Sequence, residues 1–238
     1  MLNVHGLTIH YRGRDGVERP VLKDLSFTLS SGETVGLLGA SGCGKTTLAL
    51  ALLRLLPQTA RIAGGSIRFR EHDLLRADEG TLQQIRGGQA SIVFQEPALS
   101  LNPVMRVGDQ IAEVVRAHSQ GSRQSYRKAA EQALAEARLG ERRFYSAYPH
   151  QLSAGQRQRV AIAQALVCKP GFLIADEPTS ALDHATQAEI ISLLKELKRR
   201  LQIAFLFITH KPELLAGLAD RVLILEAGRL VEERQLTS

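Results

Sequence analysis

Apolar and polar positions alternate most cleanly at Leu25, Phe27 and Leu29, which predicts a half-buried strand over 24–29. Leu2, Val4, Leu7 and Ile9 alternate less regularly and predict an earlier strand. Ser30-Ser31-Gly32 reads as a turn, and Thr34–Leu38 as a short apolar strand that runs into a glycine-rich loop. A helix is expected from Lys45 to Leu55, stopped by Pro57, and Ile67 with Phe69 marks another short strand. From residue 97 to 168 the texture changes to Ala, Gln and Arg, with Ala129, Ala133, Leu134 and Ala137 at helical spacing. This stretch reads as a helical subdomain inserted into an α/β core. Phe172–Ala175 and Ile203–Ile208 are short, fully apolar runs of the kind buried parallel strands present. Between them Ile190, Leu193, Leu194, Leu197 and Leu201 form a helix stripe. Val222–Leu225 and Leu230–Val231 flank Ala227-Gly228 as a terminal hairpin. Strands alternating with helices predict a mainly parallel sheet.

Length and composition add bounds to this picture. The 238 residues suffice for one sizeable core with a small subdomain. The balance of 30 Lys+Arg against 24 Asp+Glu gives a net charge of +6. Such a charge fits nucleic acid, an anionic membrane surface, nucleotide phosphates or a plain solvated surface equally well. No apolar run approaches the roughly 18 residues a membrane span needs, and the N-terminus lacks the basic-then-apolar order of a signal peptide. The two cysteines, Cys43 and Cys168, lie far apart and suggest neither a disulfide framework nor a zinc cluster. A soluble intracellular protein is expected; secreted, collagenous, disordered and integral-membrane classes are set aside.

Residues 39–46 read Gly-Ala-Ser-Gly-Cys-Gly-Lys-Thr, which is G-x-x-x-x-G-K-[ST] between a strand and a helix. Gly39, Gly42 and Gly44 let the backbone through Ala40, Ser41 and Cys43 curl, so that successive N–H groups face phosphate oxygens. The helix starting near Lys45 adds its positive end. Lys45 is expected at the β- and γ-phosphates of ATP and Thr46 at Mg²⁺, with Thr47 completing the cradle. A second element, Phe172-Leu173-Ile174-Ala175-Asp176-Glu177, carries two carboxylates at the edge of a parallel sheet where ligands bind. Asp176 is expected to hold Mg²⁺, directly or through water, and Glu177 to polarise the attacking water. Ser153 is a good N-cap for an apolar helix over 156–167, so that helix start is a second anion site.

Leu152-Ser153-Ala154-Gly155-Gln156, followed by Arg157-Gln158-Arg159 and then by the Asp176-Glu177 pair, resembles the LSGGQ signature of the ATP-binding cassette (ABC) ATPases. The resemblance spans essentially the whole chain. It implies a single domain with a P-loop NTPase core over 1–95 and 170–238, a mainly parallel sheet, an N-terminal antiparallel β portion, and a helical subdomain over about 96–169. It implies further site residues: Tyr11 stacking on adenine, Gln95 reaching Mg²⁺ and the water, and His210 contacting the γ-phosphate. Ser180-Ala181-Leu182-Asp183 matches the loop that crosses the dimer interface. The chain departs from the family at Ala154, where Gly is usual, and at Lys211, where an acidic residue is common; Ala154 is expected to be tolerated. In a head-to-tail dimer each γ-phosphate would meet Lys45 of one chain and Ser153, Ala154, Gly155 and Gln156 of the other.

Gln95 to Met105, Val107 to Glu113 and Tyr148-Pro149-His150-Gln151 look like the dipeptide, oligopeptide and nickel importer branch, and the opening is closest to its nickel-type member. That implies a peripheral ATPase at the cytoplasmic face of the inner membrane. Its implied partners are integral membrane permease subunits, a second cassette (identical or not) and, indirectly, a periplasmic or lipid-anchored solute-binding protein. No nucleic acid is expected. Many peptide-importer members continue into a C-terminal extension, which a chain ending at Ser238 lacks or has lost. Two other readings stand beside this one. A soluble ABC ATPase acting on nucleic acid or ribosomes typically carries long heptad arms or two cassettes. A regulatory module without turnover is opposed by Asp176, Glu177 and His210.

Overall fold

The computed structural model describes residues 1–236, apart from the side chains of Ala98 and Leu99. Those two side chains, which fall in the Gln95 to Met105 stretch that resembles the importer branch, and the chain end at Ser238 lie outside the described residues. In chain order the elements are β1 (Leu2–Arg12), β2 (Glu18–Leu29), β3 (Thr34–Leu38), α1 (Lys45–Leu52), β4 (Ala60–Phe69), β5 (His72–Asp73), α2 (Glu79–Ile85) and β6 (Ala90–Val93). Then come α3 (Pro97–Ser100), α4 (Val107–His118), α5 (Arg123–Glu136), α6 (Arg142–Ser146), α7 (Ala154–Leu166), β7 (Phe172–Asp176), α8 (His184–Leu201), β8 (Ala204–Thr209), β9 (Arg221–Glu226) and β10 (Arg229–Gln235). The chain forms two compact units, residues 1–83 with 202–238, and residues 84–201.

The first unit holds an antiparallel sheet in the order β2-β1-β4-β5. Leu2, Val4, Leu7 and Ile9 of β1 are all buried although the step from Val4 to Leu7 breaks strict alternation. The cause is a register shift there, with Gly6 at φ +59 and its N–H donating to Ser26 Oγ at 2.9 Å. The shift returns the strand to its core face with an extra residue, as a bulge does. Two strands run longer than their apolar pattern. The Glu18–Pro20 arm of β2 and the Ala60–Gly65 half of β4 are polar or glycine-rich and pair with the outer half of β1.

In the same unit β3 lies between β8 and β9, parallel to both, and β10 returns antiparallel to β9. Val35, Leu37 and Phe205–Ile208 are buried to 0% exposure, which is why these runs carry no polar alternation. The expected antiparallel and mainly parallel β portions are both present. Arg221 at the start of β9 is buried and donates to Glu33, Glu233 and the Thr28 carbonyl. This ties the turn before β3 to the terminal hairpin. Helix α1 ends at Leu52, three residues before the expected Leu55. Arg54 takes φ +55 and Leu55 N donates to Leu50 O at 2.8 Å, the bond pattern of a left-handed C-terminal cap.

The second unit holds the parallel pair β6–β7 and helices α3 to α8. Strand β6 has no counterpart in the sequence reading; four residues with Ser91 among them are too short to show a period. Leu173, Ile174, Val160, Ile162, Ile190, Leu193 and Leu194 are fully buried. Arg159 crosses this core to reach Glu189 at 2.7 Å, which gives the buried guanidinium its counter-charge.

Candidate nucleotide site

Strand β3 delivers the chain into the glycine loop, and α1 leaves it at Lys45. The loop needs its glycines for two separate reasons. Gly42 and Gly44 sit at φ +79 and +114, where a side chain is strained. Gly39 has an ordinary φ, but a Cβ there would overlap the Leu225 carbonyl oxygen of β9. On the other side, a Cβ on Gly44 would come within 3.3 Å of Val21 O and overlap the Leu22 side chain closely. The cradle is thus a slot between β2 and β9.

Lys45 is buried, and its Nζ donates to Gly39 O at 2.8 Å and Ala40 O at 3.0 Å. Those bonds hold the ammonium over the loop. Ala40, Ser41, Gly42 and Thr46 are exposed, while Cys43 and Thr47 are half-buried. The first turn of α1 carries no acidic residue, so nothing opposes an anion at its N-terminus. Backbone donors, a buried lysine and a helix N-terminus thus lie together in one loop, an arrangement suited to an oxyanion. His210 directly follows β8, and the register Leu38↔Thr209 sets it beside Gly39 at the same strand edge. Tyr11 lies half-buried at the far end of β1, opposite Arg19 and Ala60.

In the second unit the register Val93↔Ala175 brings Gln95, Asp176 and Glu177 to one edge of the β6–β7 pair. Asp176 is only 2% exposed. Gln95 is exposed and Glu177 half-buried. Glu177 stands at φ +45, a left-handed conformation that costs a non-glycine residue about 1–2 kcal/mol. The sequence signalled this poorly: Pro178 disfavours the right-handed region for Glu177 but does not select the left-handed one. Ser180 Oγ donates to Glu177 O at 3.1 Å and steadies the kink. Asp183 accepts from the Thr186 backbone and hydroxyl, which hold its carboxyl below the usual range and cap α8.

Ser153 caps α7 as the sequence predicted, and Gly155 leaves no room for a Cβ against Thr186. Ala154 opens the helix without a positive φ, so its methyl group causes no backbone strain. Among the described residues no group of three His, Cys, Asp or Glu side chains suits a metal ion. Within the second unit, Gln95 and Asp176 bring an amide and a carboxylate oxygen to one strand edge, hard oxygen donors of the kind Mg²⁺ takes. No described helix is long and apolar enough to cross a membrane.

Residues 22–180 match the family described as ABC transporter. The chain belongs to that family. This ABC cassette is 44% identical over 240 residues to a probable peptide ABC transporter ATP-binding protein, y4tR, of Sinorhizobium fredii, covering 100% of this chain and 71% of the relative. It is 44% identical over 233 residues to the oligopeptide transport ATP-binding protein OppD of Escherichia coli, covering 98% of this chain and 68% of the relative. The dimeric ATP-binding cassette MJ0796, solved in a post-hydrolysis state with ADP and Pi, superposes with a TM-score of 0.88 at 30% identity over 100% of both chains. As an ABC cassette the chain binds ATP and is an ATPase of the kind that couples hydrolysis to transport.

Proposed function

We propose that this cassette is the motor subunit of an importer for peptides or similar small solutes, working as a dimer at the cytoplasmic face of the inner membrane beneath integral permease subunits. The glycine slot carrying Lys45 is the observation on which this rests. The two relatives named above are peptide transport proteins, and the dimeric cassette described above supports pairing. A soluble ATPase acting on nucleic acid or ribosomes is not favoured by these relatives. Residues 96–169, interior to the second unit, serve as the helical subdomain, and a solute-binding protein acts through the permease.

In this reading Tyr11 stacks on adenine, and the N–H groups of 39–47 with Lys45 bind the β- and γ-phosphates. Thr46, Gln95 and Asp176 hold Mg²⁺, which when bound offsets phosphate charge. Glu177 orients a water in line with the γ-phosphate and takes its proton, His210 steadies the γ-phosphate, and ADP and phosphate leave. Ser153, Ala154, Gly155 and Gln156 of the partner copy close over the γ-phosphate from the other side. Catalysis is positioning plus charge neutralisation. Proteoliposomes holding the complete transporter test the reading. ATP-dependent peptide uptake, lost with Glu177→Gln, supports it; ATP turnover that never moves solute would overturn it.

A further inference from the structure

Helices α7 and α8 meet at their first turns. Gly155, buried at the start of α7, has the Thr186 methyl group Cγ2 lying where a Cβ would stand. The rest of Thr186 keeps back: its Cβ and Oγ1 are 3.8 and 3.9 Å from that same point, ordinary contact distances. One turn further on, Arg159 Nη2 donates to Glu189 Oε2 at 2.7 Å. Arg159 is four residues from Gly155 and Glu189 three from Thr186, so each pair lies along one helix face. A close approach followed by an ion pair fixes the register of α7 against α8. The approach is this near because position 155 carries no side chain.

Thr186 also holds a second structure. Its hydroxyl donates to Asp183 Oδ2 at 2.8 Å and its backbone N–H to Asp183 Oδ1 at 3.0 Å, so one residue occupies both carboxylate oxygens. Asp183 is exposed, and these bonds rather than packing orient its carboxylate. Asp183 ends the segment that Glu177 begins. Within that segment Glu177 O accepts from Ser180 N at 3.2 Å and from Ser180 Oγ at 3.1 Å, and Thr179 O accepts from Leu182 N at 3.3 Å. Two overlapping turns therefore run from β7, which precedes Glu177, to the anchor at Thr186.

We infer that Thr186 is a positioning residue for ATP hydrolysis: its methyl group sets how closely the start of α7 approaches α8, and its hydroxyl holds the turns that carry Glu177, so the two keep one spacing. This rests on the roles proposed above for Glu177 and for Ser153 to Gln156. Under that reading a chain uses its carboxylate in its own site and lends the start of α7 to a partner's, and both are held to the same first turn of α8. A misplacement of about 1 Å in such a site costs about 100-fold in rate. Threonine alone meets both demands. Serine keeps the hydroxyl and gives up the methyl group, and valine does the reverse.

The test measures ATP turnover of the assembled transporter, with the melting temperature and ATP affinity of the isolated chain taken beside it. Thr186→Val and Thr186→Ser should each lower kcat about fivefold. The ATP affinity of the isolated chain should stay at the parent value, since the glycine slot belongs to the first unit. Gly155→Ala gives the sharper check. Alone, its methyl group collides with Thr186 Cγ2, and turnover should fall about tenfold. Adding Thr186→Ser removes the colliding group and leaves ordinary contacts, so the double variant should turn over faster than Gly155→Ala. The same substitution thus harms the parent and helps the Gly155→Ala background. Losses that simply add, unchanged kcat in both single variants, or kcat losses that only track a lowered melting temperature overturn the inference while the reading of the site stands. Glu177→Gln is run in the same assay, and turnover that survives it removes both.

Discussion

Ser153 and Gln156 cap each other at the start of α7: Gln156 N donates to Ser153 Oγ at 3.2 Å, and Ser153 N donates to Gln156 Oε1 at 2.9 Å. One hydroxyl thus fixes the helix end and still has a proton to offer an anion. Ser153→Ala should destabilise the second unit by about 1 kcal/mol, read as a lower denaturant midpoint. Ser153→Thr, which keeps the capping oxygen, should recover most of that loss. Equal stability in Ser153→Ala and the parent would show that the reciprocal cap contributes nothing.

The left-handed backbone at Glu177 separates two substitutions that otherwise look alike. Glu177→Gln keeps the strained conformation and the polar side chain, so ATP binding persists while turnover falls about 100-fold or more. Glu177→Gly relieves a cost of about 1 kcal/mol, so it should be as inactive yet no less stable. Thermal melts beside phosphate-release assays distinguish them. Vigorous hydrolysis in either variant removes Glu177 from the role of base.

Gly39→Ala probes the slot without touching a phosphate-binding side chain. Its methyl group meets the Leu225 carbonyl, so either the loop or the start of the β9–β10 hairpin must move. ATP affinity should fall at least about tenfold while far-UV circular dichroism is retained. Unchanged affinity would mean that the loop has slack which the geometry denies.

Glu33 gives the fold a defined acid limit. Burial raises its pKa, but the Arg221 guanidinium and the Ser30 N–H outweigh this and leave it below the ordinary 4.5. A carboxyl depressed in the native state stabilises above its unfolded value and loses that contribution as pH falls through the native one. Glu33→Gln should therefore cost about 2 kcal/mol at neutral pH, with the gap to the parent closing as the pH drops below 4.5. A gap that stays constant with pH would assign the loss to packing instead of charge.

What was legible in the chain follows burial. Phe172–Ala175 and the run ending at Ile208 are continuous apolar stretches because both faces are covered, and they appeared as strands from sequence alone. The polar arm of β2 and the glycine-rich half of β4 face solvent, so their pairing left no hydrophobic signature. The glycine loop was readable because its residue types are forced by φ and by close approach. Glu177 and Arg54 were not: each adopts a left-handed backbone that its residue type does not announce. Gln110 was legible only as one residue of the Val107 to Glu113 run that resembles the importer branch, since its three bonds to the 102–105 turn follow no period.

The slot around residues 39–44 is bounded on one side by the Leu225 carbonyl and on the other by the Leu22 side chain with the Val21 carbonyl, and Gly228, which a Cβ would drive into that same Val21 carbonyl, accepts from Lys23 N at 2.8 Å. Walls made of peptide groups have the same dimensions whatever side chains they carry. Positions 21 and 225 can therefore drift among apolar residues without altering the width of the cradle, whereas the glycines that face them are not free to vary. A lineage could re-tune what this cassette transports, and rebuild much of its surface, while the grip on the triphosphate passed down unchanged.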